Sequence, residues 1–153
     1  GLIDNFEGKV AFDLFCGTGT ITQTLAKKAK RAVGVELVAE AVEAARENAA
    51  RNGLDNCEFL AGDVFEVLEN LTDKPDVIVV DPPRVGISPK ALDKIISYGV
   101  EQIVYVSCNP KTLVENLYYL QYYGYETVSL KAFDNFPNTR HVETVVLMSR
   151  VKG

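Results

Sequence analysis

The chain has 153 residues, of which 47% are hydrophobic and 24% charged, a composition typical of one globular domain. No apolar run approaches the roughly 18 residues of a membrane span, and no targeting segment is recognisable, so we expect a cytoplasmic protein without membrane attachment. The 21 acidic residues outnumber the 16 Lys and Arg. This balance argues against strong nucleic-acid binding by this chain alone, because such binding depends on basic side chains that neutralise phosphates.

The cysteine and histidine content argues against a metal centre and against disulfides. Cys16, Cys57 and Cys108 lie far apart in the sequence, and His141 is the only histidine. No Cys-x-x-Cys unit is present, and an odd number of cysteines does not suit a disulfide framework. We therefore expect no metal in this chain.

Short apolar runs typical of buried strands alternate with apolar residues at helical spacing. The first half predicts strands at 10–15, 32–35 and 57–61, separated by helices that carry Ile21, Leu25 and Ala29 and then Val38, Val42, Ala45 and Ala49. The second half predicts a brief helix carrying Val64, Leu68 and Leu71, strands at 77–80 and 103–106, and two longer strands at about 126–133 and 142–150.

Capping signals mark where the later helices begin and end. Ser88-Pro89 and Asn109-Pro110 each combine an N-cap residue with a proline at the first helical position, and Gly53 and Gly99 are expected to end the helices before them. Regular strand–helix alternation predicts an α/β fold with a doubly wound, mostly parallel sheet. No helix separates the last two strands, so we expect an antiparallel strand near the C-terminus. One domain covers residues 1–153.

Three strand ends in the first half carry residues suited to a nucleoside ligand. Gly17 and Gly19 permit a tight turn before a helix, Glu36 can accept hydrogen bonds from both hydroxyls of a ribose, and Asp63 follows the third strand. Taken singly, a G-x-G turn is weak and Glu36 could be a solvated loop carboxylate. The ordered series is stronger, and the lack of a third glycine disfavours NAD. We interpret Cys16, inside the turn, as a packed residue.

The second half carries candidate reactive residues. Asp81-Pro82-Pro83-Arg84 forms a stiff loop that would hold Asp81 rigidly, although a turn with a capping Asp is the alternative. Cys108 precedes a predicted helix N-terminus, whose partial positive charge favours a thiolate nucleophile over a core cysteine.

Two further candidates precede the last strand. Glu143 is a candidate general base or, alternatively, an edge-strand carboxylate. His141 either orients Glu143, contacts phosphate, or is a solvated loop residue.

Four motifs in this order resemble the RNA uracil-5 methyltransferases: Asp-Leu-Phe-Cys-Gly-Thr-Gly-Thr, Asp-Pro-Pro-Arg, Val-Ser-Cys-Asn-Pro and Phe-Pro-x-Thr-x-His-Val-Glu. The first motif, with Glu36 and Asp63, is similar to class I S-adenosylmethionine-dependent methyltransferases. The resemblance covers essentially the whole chain. It implies a Rossmann-like fold, S-adenosyl-L-methionine as cofactor, and methylation of ribosomal or transfer RNA, of which we favour ribosomal RNA.

The resemblance also implies roles for individual residues. At the cofactor, Gly17 and Gly19 would lie against its amino-acid part, Glu36 on its ribose and Asp63 on its adenine amine, with Asp13 and Asp81 at the same site. Cys108 would be the nucleophile that attacks carbon 6 of uracil, Glu143 the base that removes the proton from carbon 5, and Asp81 the reader of the polar edge of the base. Arg84, Asn109 and His141 would support the substrate.

The sequence also departs from the family pattern. An N-terminal RNA-binding module, a central region that in some members binds an iron–sulfur cluster, and an upstream Phe-x-Gln segment are not found. We therefore expect a fragment that folds as a monomer and binds cofactor weakly, with little RNA methylation by itself. Two alternatives remain: an amine methyltransferase that uses the Asp-Pro-Pro loop, and a cofactor-binding module without catalysis.

Overall fold

The computed structural model of the chain describes residues 6–134 and 142–151. The strands within them are β1 (Val10–Leu14), β2 (Arg31–Glu36), β3 (Cys57–Ala61), β4 (Val77–Val80), β5 (Gln102–Ser107), β6 (Tyr125–Asp134) and β7 (Val142–Arg150). The helices are α1 (Thr20–Ala26), α2 (Ala39–Arg51), α3 (Val64–Asn70), α4 (Pro89–Ser97) and α5 (Pro110–Tyr122). No helix in this part of the chain is both long and apolar enough to cross a bilayer.

The strands form one sheet in the order β3-β2-β1-β4-β5-β7-β6. β1 to β5 are parallel, and β7 pairs antiparallel with both β5 and β6. The predicted mostly parallel sheet with an antiparallel strand near the C-terminus is therefore confirmed. The strand order reverses direction between β1 and β4, and ligands of doubly wound sheets bind beside such a switch point.

Alternating strand residues build an apolar layer on each face of the sheet. Phe12, Ile78 and Ile103 belong to one cluster, whereas Val79 and Val104 belong to the other. Strands buried on both faces read as continuous apolar runs, which is why these segments are recognisable in the sequence.

The capping signals act as predicted, whereas one helix is shorter than its apolar spacing indicates. Ser88 Oγ accepts a hydrogen bond from the Ala91 amide at 3.3 Å, and the Asn109 side chain accepts one from the Lys111 amide at 3.1 Å. Helix α1 ends at Ala26 rather than near Ala29. The Ala29 amide still donates to the Leu25 carbonyl, and Ala29 stays buried, so its spacing reflects burial rather than continued helix.

The turn between β1 and α1 depends on Gly19. Its φ of 84° lies in the left-handed region, and a Cβ there would lie 2.7 Å from Phe59 Cε1 and 2.9 Å from Ala45 Cβ. Gly17 also has a positive φ, 56°, but nothing lies within 4 Å of the position its Cβ would take. The two glycines therefore share a backbone requirement but differ in packing.

This difference predicts unequal effects of alanine substitution. Gly17→Ala should lower the free energy of unfolding by about 1 kcal/mol, the cost of a left-handed backbone. Gly19→Ala should cost about 2–4 kcal/mol, because overpacking against Phe59 and Ala45 adds to that cost. Urea denaturation of both variants without ligand measures the difference. Equal losses would mean that Phe59 and α2 move aside freely.

Candidate active site

Most of the predicted site residues that the structure describes lie at one edge of the sheet, which we call the carboxyl edge. It is formed by the ends of β1 to β5, at Leu14, Glu36, Ala61, Val80 and Ser107. Parallel strands bring all of these ends together. Because β7 is antiparallel and Thr144 lies opposite Ser107, the beginning of β7 reaches the same edge.

Glu36 ties the glycine turn to the neighbouring strand. One carboxylate oxygen accepts a hydrogen bond from the Gly17 amide at 2.9 Å, and the other accepts one from the Val38 amide at 2.9 Å. The Glu36 carbonyl accepts the amide of Gly62, which precedes Asp63. Each carboxylate oxygen keeps a second lone pair, so the side chain can still bind a ligand while the backbone fixes its position.

Asp13 is fully buried beneath this turn, one residue before the end of β1. The Thr22 hydroxyl donates to its Oδ2 at 2.6 Å, whereas its Oδ1 has no hydrogen-bond partner among the described residues. Burial, and to a lesser extent the charges of Asp81 and Glu36, raise the pKa of Asp13 to about 7. A buried carboxyl oxygen without a partner is costly, and it marks a place where a ligand group could bind.

Cys16, in the same turn, has the properties of a packed, unreactive thiol. Its Sγ lies 2.9 Å from the position that a Cβ on Gly34 would take, so β2 passes close to it. Burial and the charges of Asp13 and Glu36 raise the pKa of Cys16 to about 12. The thiolate form that a nucleophile needs is therefore strongly disfavoured.

Asp63 lies beyond Glu36 and caps α3, because its side chain accepts the Glu66 amide at 3.2 Å. Gly62 and Asp63 also line a cavity of about 630 Å³ together with Arg46, Leu60 and Val67 among others. No residue around this cavity belongs to β1, β4, β5 or β7. This cavity therefore lies at the outer edge of the sheet, whereas Asp13 and Glu36 lie beside the switch point, where ligands of doubly wound sheets bind.

Asp81 follows β4 directly, and its amide donates to the Leu14 carbonyl at 3.2 Å. Burial raises the pKa of Asp81 to about 6, and the charge of Glu143 adds to the rise. Asp81 also contributes to the raised pKa of Asp13. Asp81 therefore interacts electrostatically with residues on both sides of the site: with Asp13, predicted at the cofactor, and with Glu143, predicted to react.

Cys108 lies in a turn, residues 107–109, between β5 and α5. The Asn109 amide donates to Ser107 Oγ at 3.1 Å, and the Ser107 hydroxyl donates back to the Asn109 carbonyl at 3.0 Å. These two bonds fix the backbone on both sides of Cys108. The thiol is half-buried and immediately precedes the N-cap of α5.

Glu143 is half-buried at the beginning of β7, next to the pair formed by Thr144 and Ser107. The register thus brings it beside the turn that holds Cys108, although the two residues are far apart in sequence. His141 lies outside the described residues.

Arg84 is exposed at the tip of the loop after Asp81, and its carbonyl accepts the Asn109 side-chain amide at 2.8 Å.

Sequence reasoning missed three polar residues that support the site: Thr22, Tyr105 and Asn116. All three are buried, and each makes a side-chain hydrogen bond to another side chain. Asn116 could have been recognised from the sequence, because it is a polar residue in the apolar stripe of α5, between Leu113 and Leu120. Among residues 6–134 and 142–151, no group of three potential metal ligands is found.

Comparison with known proteins gives one consistent family. A family model described as tRNA (Uracil-5-)-methyltransferase matches residues 3–151. An "Uncharacterized RNA methyltransferase" of Clostridium acetobutylicum is 53% identical over 148 residues, covering 97% of this chain and 32% of the relative. One from Clostridium tetani is 55% identical, with the same two coverages. The chain thus spans about a third of the length of these curated relatives.

Solved structures share the fold over nearly the whole chain. The Pyrococcus abyssi tRNA (uracil-54, C5)-methyltransferase, in complex with S-adenosyl-L-homocysteine, matches with a TM-score of 0.81 and 33% identity, covering 96% of this chain and 35% of that chain. The Geobacter metallireducens precorrin-6y C5,15-methyltransferase matches with a TM-score of 0.76 over 94% of this chain and 81% of its own; at 15% identity it shows the fold alone. The predicted Rossmann-like methyltransferase fold is confirmed.

The buried Asp13 predicts a specific dependence of stability on pH. Its pKa in the folded protein, about 7, lies above the value of about 3.9 in an unfolded chain, so the folded protein keeps a proton that the unfolded chain releases. The free energy of unfolding should therefore fall as the pH rises from about 4 to about 7. Asp13→Asn should remove this pH-dependent loss. Between about pH 4 and pH 8 the unsubstituted protein should therefore lose up to about 4 kcal/mol of unfolding free energy that the variant keeps.

Urea denaturation across this pH range checks the prediction. The exposed Asp55 offers a matched control, since Asp55→Asn should leave the pH dependence as in the unsubstituted protein. If Asp13→Asn also leaves it unchanged, Asp13 is ionised in the folded protein at neutral pH, and the carboxyl has a partner that offsets its burial.

Proposed function

Since the chain belongs to the tRNA (uracil-5-)-methyltransferase family, we propose that it is the S-adenosylmethionine-dependent domain that methylates carbon 5 of a uridine in RNA. The observation that carries this proposal is the convergence of Asp81, after the end of β4, Cys108, after the end of β5, and Glu143, at the beginning of β7. This set combines a potential base-reading carboxyl, a thiol and a second carboxyl. A scaffold without catalysis has no use for such a set, and an amine methyltransferase needs neither the thiol nor Glu143.

The residues around β1 and β2 fit S-adenosylmethionine. Asp13 Oδ1 lacks a partner among the described residues, open space surrounds the position of a Cβ on Gly17, and Glu36 is fixed by two amides with acceptor capacity to spare. We assign the amino-acid part of the cofactor to the Gly17 turn above Asp13, the ribose to Glu36 and the adenine to Asp63. Bound there, the cofactor supplies an electrophilic methyl group on a sulfonium. The likeness to a structure that contains S-adenosyl-L-homocysteine supports this assignment.

Cys108 is suited to activate carbon 5 of uracil. Carbon 5 of uracil is a poor nucleophile, whereas addition of the Cys108 thiolate to carbon 6 breaks the 5,6 double bond and places negative charge on carbon 5. The thiol immediately precedes the N-cap of α5, where the partial positive charge of a helix N-terminus gathers. Asp81, half-buried and held by the Leu14 carbonyl, would bind the polar edge of the base during this step.

Glu143 is suited to the step that completes the reaction. After methylation, carbon 5 still carries its hydrogen, which must leave as a proton before the carbon–sulfur bond can break. Transfer of this proton to Glu143 restores the double bond and expels the Cys108 thiolate. The charge of Glu143 contributes to the raised pKa of Asp81, which supports a position of Glu143 close to the site.

The RNA class is a separate question from the chemistry. From the sequence we favour ribosomal RNA, and this stays a prediction. The family description and the neighbour of 33% identity both name tRNA, which supports transfer RNA as the alternative to be assayed beside it.

Removal of the proposed nucleophile gives the first test. In the full-length protein, Cys108→Ala should reduce methylation below about one per cent of wild-type turnover, because carbon 5 becomes nucleophilic only after a thiolate adds to carbon 6. Cofactor affinity by calorimetry should stay within about three-fold, since the thiol acts on the base. Cys57→Ala, on β3, is the matched control and should keep full turnover. Methylation by Cys108→Ala would favour the amine methyltransferase.

A second test separates attack from release. Glu143→Gln should still form the carbon–sulfur bond and transfer the methyl group, yet fail to remove the proton from carbon 5. A protein–RNA adduct should therefore accumulate as a slow band on a denaturing gel. Glu126→Gln, on the exposed part of β6, is the control and should release product normally. If the Glu143 variant forms no adduct, Glu143 acts before proton removal or only maintains the structure.

A further inference from the structure

Asn116 is a buried polar side chain that the proposed chemistry does not use. It lies on the apolar stripe of α5 between Leu113 and Leu120 and is only 8% exposed. A polar group in such a place costs free energy unless it is hydrogen-bonded. Its partners therefore indicate why an amide is present where the helix pattern expects an apolar residue.

The Asn116 amide joins three elements. Its Oδ1 accepts the Tyr105 hydroxyl of β5 at 2.6 Å and the Ile87 amide at 3.1 Å, and its Nδ2 makes a long contact of 3.5 Å with the Ile87 carbonyl. Ile87 belongs to the proline loop, residues 81–88, which begins with Asp81. One side chain thus connects α5, β5 and this loop.

The proline loop is also fixed at a second point and lies tightly against α5. Asn109 donates to the Arg84 carbonyl at 2.8 Å. Between these two anchors, a Cβ on Gly86 would lie 3.1 Å from Thr112 Cβ and 3.2 Å from Asn116 Oδ1. The loop therefore has little freedom to move relative to the helix that Cys108 precedes.

Tyr105 connects this network to both proposed reactive residues. Its side chain is fully buried, and after burial itself, the charges of Cys108 and Asp81 are the causes that raise its pKa. The hydroxyl that donates to Asn116 is therefore within electrostatic reach of both groups.

We propose that Asn116, through Tyr105 and Ile87, is a positioning residue that holds the proline loop in a fixed place relative to Cys108. This inference rests on the proposed function. Asp81 would bind the uracil edge while Cys108 attacks carbon 6 of the same ring, so the distance between their loops must match the dimensions of one base. Small misplacements of reacting groups are costly, since a shift of about 1 Å can reduce the rate about 100-fold.

The test compares two tyrosines in the full-length protein. Tyr105→Phe removes the hydroxyl that bonds Asn116, whereas Tyr125→Phe removes an equally buried hydroxyl that donates to the Val100 carbonyl, also at 2.6 Å, away from the site. Both should lower stability to a similar degree. Only Tyr105→Phe should lower kcat, by about 5- to 10-fold, with the KM for the cofactor unchanged, because positioning affects the attack on the base.

Two substitutions of Asn116 complete the design. Asn116→Leu keeps the volume but removes the acceptor. It should lower kcat for methyl transfer to unmodified RNA, and with it the rate of adduct formation with 5-fluorouridine RNA, about 100-fold in the fraction that folds. Asn116→Asp keeps an acceptor for both donors and should restore kcat to within about 10-fold of wild type.

The outcomes distinguish the inference from the proposed function. If the wild-type protein forms no adduct, the proposed function fails. If it does form the adduct but Tyr105→Phe and Tyr125→Phe have equal kcat, the hydroxyl of Tyr105 is only structural and the inference is overturned. Loss of kcat in Tyr105→Phe without loss in Asn116→Leu would also overturn it, because the hydroxyl would then act directly.

Discussion

The antiparallel pairing of β7 with β5 is the constraint on which the arrangement of the site depends. β1 to β5 bring their ends to the carboxyl edge because they are parallel, but a strand that runs the other way presents its beginning there. Opposite Ser107, Thr144 fixes the register, so Glu143 arrives beside the turn of Cys108. A shift of one residue in this pairing would turn the Glu143 side chain to the other face of the sheet. The register of one strand pair therefore decides whether thiol and carboxyl can act on one substrate.

A second property of the carboxyl edge is its crowding with carboxyl groups. Burial raises the pKa values of Asp13 and Asp81 to about 7 and about 6, and neighbouring carboxylates add to the rise: Asp81 and Glu36 for Asp13, and Glu143 for Asp81. Like charges in a site of reduced polarity destabilise the unliganded protein. A ligand that carries positive charge relieves this repulsion, and the sulfonium and ammonium of the proposed cofactor have the required sign. Binding of the cofactor should therefore offset the loss in free energy of unfolding that the carboxylates cause in the unliganded protein.

Much of this fold could be predicted from the sequence because its signals are local. The proline-marked helix starts at Ser88 and Asn109 and the buried strands 77–80 and 103–106 follow directly from short patterns. The strand order and the approach of Glu143 to Cys108 could not be derived in this way, since they depend on contacts between distant segments. The chemistry of the adduct and the resemblance linked these two residues, but neither gave their positions in the fold. The role of Asn116 could not be predicted, because a single amide in an apolar stripe does not indicate which groups it hydrogen-bonds in the fold. Asp13 was assigned to the cofactor, but its complete burial depends on how α1 covers β1.

The charge distribution at the carboxyl edge also constrains how RNA could approach it. Phosphates carry negative charge and are repelled by the group of carboxylates, whereas a neutral uracil ring is not. For the proposed reaction the base must therefore enter the site while its phosphates stay outside, which requires that the uridine turn out of its stack. Turning out a base costs a few kcal/mol, which contacts to the flanking nucleotides must offset. In the proposed reaction, the exposed Arg84 at the tip of the proline loop would offer such a contact to a phosphate outside the site. The Asn109 side chain that fixes the Arg84 carbonyl would then hold this contact at a set distance from Cys108.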